Sequence, residues 1–217
     1  MNMLKFVPLL LFLCLYGCIA PVNSAFESAR MLNKGDFEIQ GNSSVYLNSE
    51  PYVNDFSNIN NNFGGALTIG VSRKYNLKLR YEGIIVIDNF YQFFDNTITT
   101  PKIVNFVEIG NKINIIDQKV AFSIPLGLYI AGGDVAVMLK PRVIFSPYSS
   151  QHFQLNIIPR MHIGVGSSIQ VFPAINIGLG LSQNLNKWAI RPEIGYDGHF
   201  TGGIGYSYFF SRNNSRQ

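Results

Sequence analysis

The sequence is short of charge. Asp, Glu, Lys and Arg make up 14% of its 217 residues, against roughly 25% in an average soluble protein, so a charged, water-facing surface is not expected. Cysteine is nearly absent too: Cys14 and Cys18 are the only two, both near the start. The body that follows has no thiol pair for a disulfide or a zinc site and no Cys nucleophile. G-x-S-x-G, H-E-x-x-H and phosphate-binding loops are missing. His152, His162 and His199 lack the spacing of a metal cluster, so no metal or other cofactor is expected. A net charge of +4, scattered along the chain, excludes a nucleic-acid footprint.

What is present is apolar, aromatic and rich in glycine. Hydrophobic residues reach 47%, with 17 Phe, 11 Tyr and 20 Gly, a mix suited to β-structure with tight turns rather than a helical bundle. The start, MNMLKFVPLLLFLCLYGCIA, places Lys5 before an apolar run and then small residues. That is the layout of a secretory signal peptide, over residues 1–17, and the run is too short for a spanning helix, which needs about 20 apolar residues. Leu15-Tyr16-Gly17-Cys18 resembles the lipobox of bacterial lipoproteins, which implies lipid attachment at Cys18, although Tyr16 fills a slot usually held by a small residue. Cleavage by an ordinary signal peptidase between Ala20 and Ala25 is the alternative. Residues 18–36 have no sustained period and a turn signal at Lys34-Gly35-Asp36, and read as a periplasmic tether.

From Phe37 the pattern changes to alternation with period two. Ten segments follow, at 37–47, 63–72, 77–87, 103–116, 120–130, 135–145, 153–165, 173–182, 188–196 and 200–210. Most have 9 to 14 residues, longer than an ordinary strand and close to the roughly 9–11 that a tilted strand needs to cross a bilayer. Each segment splits into two faces. In one of them Phe153, Leu155, Ile157, Pro159, Met161, Ile163 and Val165 lie opposite Gln154, Asn156, Ile158, Arg160, His162 and Gly164. All eleven charged residues of the segments fall on the less apolar face: Glu38, Lys78, Arg80, Glu82, Glu108, Lys112, Lys140, Arg142, Arg160, Arg191 and Glu193. Ser43, Asn105 and Asn111 are polar exceptions on the other.

Alternation alone leaves two solutions, a soluble β-domain with its apolar face inward or a membrane barrel with that face toward lipid. The polar face favours lipid, because it is crowded with small residues such as Ala121, Ser123, Gly127, Gly178, Gly180 and Ser207 that suit a cramped lumen. The last segment, FTGGIGYSYFF, places Phe200, Ile204, Tyr206, Tyr208 and Phe210 on one face. It resembles the C-terminal strand of bacterial outer-membrane β-barrels, here followed by a polar tail, 211–217. Small outer-membrane barrels of Gram-negative bacteria are thus the family that residues 37–210 resemble. The resemblance implies a closed antiparallel transmembrane β-barrel of about ten strands (eight being possible), located in the bacterial outer membrane. Connections 48–62 and 88–102 read as outward loops; Arg73 to Asn76 and Asp117 to Lys119 read as periplasmic turns.

The inward charges, with His162, are the candidate site. Seven cations against four acids suit a partly neutralised salt-bridge network; an anion-favouring pathway and acid–base chemistry by His162 with Arg160 and Glu193 are the alternatives. Asp197-Gly198-His199 reads as a hairpin turn rather than a hydrolase site. Pro141-Arg142, Pro159-Arg160 and Arg191-Pro192 place prolines beside inward arginines, where they mark bends in a wall. The expected protein is a non-enzymatic outer-membrane barrel, structural, accessory or surface-interacting, with a narrow porin-like channel for small anions as the alternative. Its expected partners are outer-membrane lipids and an outer-membrane protein complex, not nucleic acid.

Overall fold

A computed structural model describes residues 24–48, 58–87, 102–131, 134–165 and 169–211. The expected signal peptide, Cys18 and the tail beyond Ser211 lie outside the described residues. Twelve strands run in chain order: β1 Phe37–Asn48, β2 Asn58–Ser72, β3 Tyr75–Ile87, β4 Lys102–Ile116, β5 Val120–Ser123, β6 Leu126–Ala131, β7 Asp134–Leu139, β8 Arg142–Ser149, β9 Phe153–Val165, β10 Ile169–Leu181, β11 Trp188–Tyr196 and β12 Phe200–Phe210. All pair antiparallel in one sheet, and β1 joins β12 from Phe37↔Phe210 to Leu47↔Phe200, so the sheet is closed. The closing seam is pinned at one end by Phe37 stacked on Phe210, ring centroids 4.4 Å apart.

Ten staves make the wall, because β5 with β6 and β7 with β8 are each one stave broken in the middle. β5 and β6 both pair with β4, and β7 and β8 both pair with β9. The breaks fall at Pro125 and Pro141, which have no N–H to give a ladder. The loose ends are met locally. Lys140 N–H donates to the Pro125 carbonyl and Met161 N–H to the Pro141 carbonyl, each at 2.9 Å. Asn111, one of the polar exceptions on the outer face, accepts the Ile124 N–H at 2.9 Å beside the break. A second exception, Asn105, accepts the Tyr81 hydroxyl at 2.8 Å. Pro159 and Pro192 do not break their strands. They face Ile175 and Ile204 in continuous ladders, while pairing lapses on the other side, between Phe145↔Ile157 and Arg142↔Arg160 in one case and between Leu181↔Ile190 and Gly178↔Glu193 in the other. Only Pro141 of the three Pro/Arg pairs marks a break.

The two faces separate as the alternation requires. Ile103, Ile109, Ile194 and Phe200 are at least 60% exposed on the outside, while Arg80, Glu82, Glu108, Lys140 and Arg142 are at most 1% exposed inside. Such a surface is stable only against hydrocarbon, since each large apolar side chain left in water forgoes roughly 1.5–3 kcal/mol. The barrel is therefore transmembrane. Trp188, Tyr206, Tyr208 and Phe210 band one end of the outer face, and Tyr196 and Phe200 the other.

The outward loop expected at 48–62 is shorter, because β2 begins at Asn58. An asparagine run has low strand propensity, yet Asn60 and Asn62 face the polar interior and are buried there. The tight-turn end of the barrel holds Arg73-Lys74, Asp117 to Lys119, Ser150 to His152 and Ser182 to Lys187. The opposite, loop end holds Asp197 to His199 and the connections outside the described residues.

Candidate functional site

The segment read as a tether outside the barrel runs, over Ser24–Leu32, through its lumen. Ser24, Ala25, Phe26, Ser28, Ala29, Met31 and Leu32 are all buried. The chain leaves the tight-turn end at Gly35, whose φ of 85° is open to glycine alone without strain. Gly35 N–H donates to the Gly70 carbonyl at 2.8 Å and Gly70 N–H returns to Asp36 O at 2.9 Å, fixing the plug to β2 where β1 starts. The narrow bore explains the composition: only small side chains leave room for a second chain beside the wall.

An extended segment inside a barrel has no neighbouring strand, so its backbone groups must be satisfied by wall side chains. Gln40 donates to the Phe26 carbonyl (2.7 Å), Arg80 Nη1 to the Ser24 carbonyl (2.7 Å), and Lys112 to the carbonyls of Ser28 (3.1 Å) and Arg30 (2.7 Å). Ser146 Oγ accepts the Ala29 N–H at 2.9 Å. Glu193 accepts the successive N–H groups of Ala25 (2.6 Å) and Phe26 (2.7 Å), and the Asn176 amide (2.9 Å). Phe26 has φ 48°, a strained value for a bulky residue; consecutive N–H groups converging on one carboxylate form the concave backbone shape that binds anions. Its ring lies on Gly205, where an added Cβ would sit 3.0 Å from ring carbon Cγ.

The ion pairs centre on the plug. Glu27 binds Lys78 at 2.8 Å and Arg142 at 2.9 Å; Arg142 also reaches Glu108 at 3.2 Å, and Lys140 lies 3.5 Å from Glu108. Arg80 pairs with Glu82, and Arg191 stands 4.0 Å from Glu38. Arg160 Nη1 donates to the Ser24 carbonyl at 3.4 Å. Eleven strand charges thus line the lumen, nine of them buried and Glu38 and Lys112 half-buried. Glu27 and Arg30, the plug's own charges, were not among the sequence candidates.

His162 is fully buried, and neither ring nitrogen has a hydrogen-bond partner among the described residues. Glu193, its candidate carboxylate, is occupied by the plug's backbone. Above these charges lies an apolar cluster of the wall's own inward side chains, Ile84, Phe106, Tyr129 and Met138. Phe106 and Tyr129 pack with centroids 4.6 Å apart, and Lys140 Nζ sits 3.7 Å from the Phe106 ring centre, a cation–π contact. At the loop end, the Tyr46 hydroxyl donates to Asp197 Oδ1 (3.0 Å) and lies 2.9 Å from His199 Nδ1. Burial pushes the Asp197 carboxyl up to about 6 and the His199 imidazole down. Two residues of the sequence's turn motif thus meet Tyr46, which the sequence did not single out.

Wall and contents together define a transmembrane β-barrel closed on a segment of its own chain. No family model matches the sequence, and no curated protein matches it. Among solved structures the chain is similar to the translocator domain of the autotransporter NalP from Neisseria meningitidis, at 9% identity over 82% of this chain and 90% of that one, with a TM-score of 0.46. It is similar also to the N-terminal β-barrel domain of Pseudomonas aeruginosa OprF, at 10% identity over 82% of this chain and 100% of that one, TM-score 0.34. A third is Ail, the attachment invasion locus protein of Yersinia pestis, at 11% identity over 82% of this chain and 99% of that one, TM-score 0.31.

Proposed function

We propose that the protein is a bacterial outer-membrane barrel that rests closed and acts as a structural, accessory or surface-interacting component rather than as an open pore or an enzyme. One observation carries this reading: Ser24–Leu32 fills the lumen and is held there by Glu193, Arg80, Lys112 and the Glu27 ion pairs. Lumen charges that would draw anions through an open channel are instead spent on a peptide. Export signal, apolar outer belt and polar interior support the outer membrane as its location. Lipid attachment at Cys18 remains part of the proposal, tested by loss of acyl labelling in Cys18→Ser.

Planar-bilayer recording of the intact protein tests the closed state. No steady single-channel current is expected at moderate voltage. Stable, anion-selective currents from the unmodified chain would overturn the reading in favour of the porin-like alternative.

A further inference from the structure

At the tight-turn end, beneath the plug, lies a cavity of about 600 Å³, in the size range of small-molecule sites. Arg30 from the plug and Arg191 from β11 both reach it. Both also lie on the ring of Phe209, with guanidinium carbons 4.7 Å and 6.0 Å from its centre. Two like charges therefore share one aromatic ring. Arg30 donates to the Leu185 carbonyl, and Arg191 donates through Nε to Ser207 at 3.1 Å, with Glu38 at the outer limit of an ion pair. Arg191 Nη1 is buried and has no hydrogen-bond partner among the described residues. Of the nearby acids, Asp117, which lines the cavity, accepts from Asn114 at 3.2 Å, and Asp36 accepts from Asn33 at 3.0 Å. The deep lumen sets Glu27, Glu82 and Glu108 in ion pairs with its cations, whereas among the described residues Arg191 has Glu38 only at 4.0 Å and Arg30 feels Glu38 and Asp36 through space.

We propose that this cavity binds a small hydroxylated solute carrying an oxyanion, a carboxylated or phosphorylated sugar, with the anion seated between Arg30 and Arg191. A carboxylate or phosphate oxyanion accepts from two guanidinium groups at once. With Asp117 and Lys119 as an acid and a base at the rim, the lining also offers the neutral hydrogen-bonding side chains of Gln154, Ser149, Ser150 and Asn186, which suit hydroxyl groups.

Isothermal titration calorimetry on the full chain in detergent micelles, with glucuronate, glucose 6-phosphate, glucose and inorganic phosphate, tests this. Both sugar anions should bind with a Kd of about 1 mM or tighter, glucose should give no measurable binding, and phosphate should bind at least about tenfold more weakly than the sugar anions. Arg191→Gln should weaken binding about tenfold or more, whereas Lys119→Gln at the rim should change it less than about threefold. Arg30→Gln, outside the wall, carries the same expectation as Arg191→Gln should the latter fail to fold. Absence of heat with either sugar anion, equal binding of glucose, phosphate binding as tightly as glucose 6-phosphate, or an equal loss in Lys119→Gln would each overturn the proposal. These readings are separate from conductance, so an open barrel would leave them standing.

Discussion

The lumen is obstructed twice, and the two obstructions are built differently. Toward the tight-turn end the filler is a separate length of chain, Ser24–Leu32, held by hydrogen bonds and ion pairs to six staves of wall. Higher up, Ile84, Phe106, Tyr129 and Met138 fill space with the wall's own side chains, and Phe106 lies so close to Gly127 that a Cβ there would meet its ring at 2.5 Å. An apolar cluster on the wall cannot leave without unmaking the wall. A peptide held by polar contacts can, because water replaces its partners one by one.

The largest test of that contrast combines both. Deleting residues 24–32 together with Phe106→Ala should convert a silent barrel into a steadily conducting one that prefers anions, given seven strand cations against four acids; deletion alone should give smaller or interrupted currents. Equal conductance in the two variants would remove Phe106 from the account. Next comes Glu27→Gln, which leaves Lys78 and Arg142 without their shared carboxylate. Stripping one partner from a buried pair costs about 3–5 kcal/mol, so urea unfolding in lipid vesicles, followed by Trp188 fluorescence, should shift to lower denaturant by a matching amount.

The loop end has its own ionisable group. With Asp197 titrating near 6 in the folded chain and near the ordinary carboxylate value when unfolded, the folded state holds the extra proton between about pH 4 and pH 6. Stability contributed by the neutral form is complete below that window and is lost as pH rises through it, by on the order of 2–3 kcal/mol. Asp197→Asn should flatten that slope in the same unfolding measurement; an unchanged slope would assign the titration elsewhere. The smallest effect is expected at Gly205, where the three atoms nearest an added Cβ all belong to Phe26. In a chain with Cys14 and Cys18 replaced by Ser and a reporter Ser28→Cys, adding Gly205→Leu should speed thiol labelling from water about tenfold, an opening shift of about 1.4 kcal/mol. Gly202→Leu, beside open space, should leave the rate unchanged.

The wall could be read from sequence because lipid outside and polar groups inside impose a two-residue period on every strand. Its ten staves were legible even where Pro125 and Pro141 break them, since the alternation runs on across both breaks. The plug was not legible by that means. Ser24–Leu32 meets the wall through its own N–H and carbonyl groups, which every residue has, and its partners lie up to 168 positions away. A signal existed in its chemistry: Ser24, Ala25, Ser28 and Ala29 are as small as the lumen's inward residues, and Glu27 adds a carboxylate where cations are in excess. Arg191 and Arg160 were legible as inward charges, but what each of them meets depends on where the plug runs.

Glu193 is carried by β11 and Gly205 by β12, the last strands of the chain to be made, whereas Ala25 and Phe26 belong to its first described residues. A polypeptide cut short before Trp188 would have no carboxylate for those two N–H groups, no cradle for the phenylalanine ring and no β12 to meet β1. Filling the bore therefore reports on the wall: Ser24–Leu32 finds its full seat only once β11 and β12 have been made.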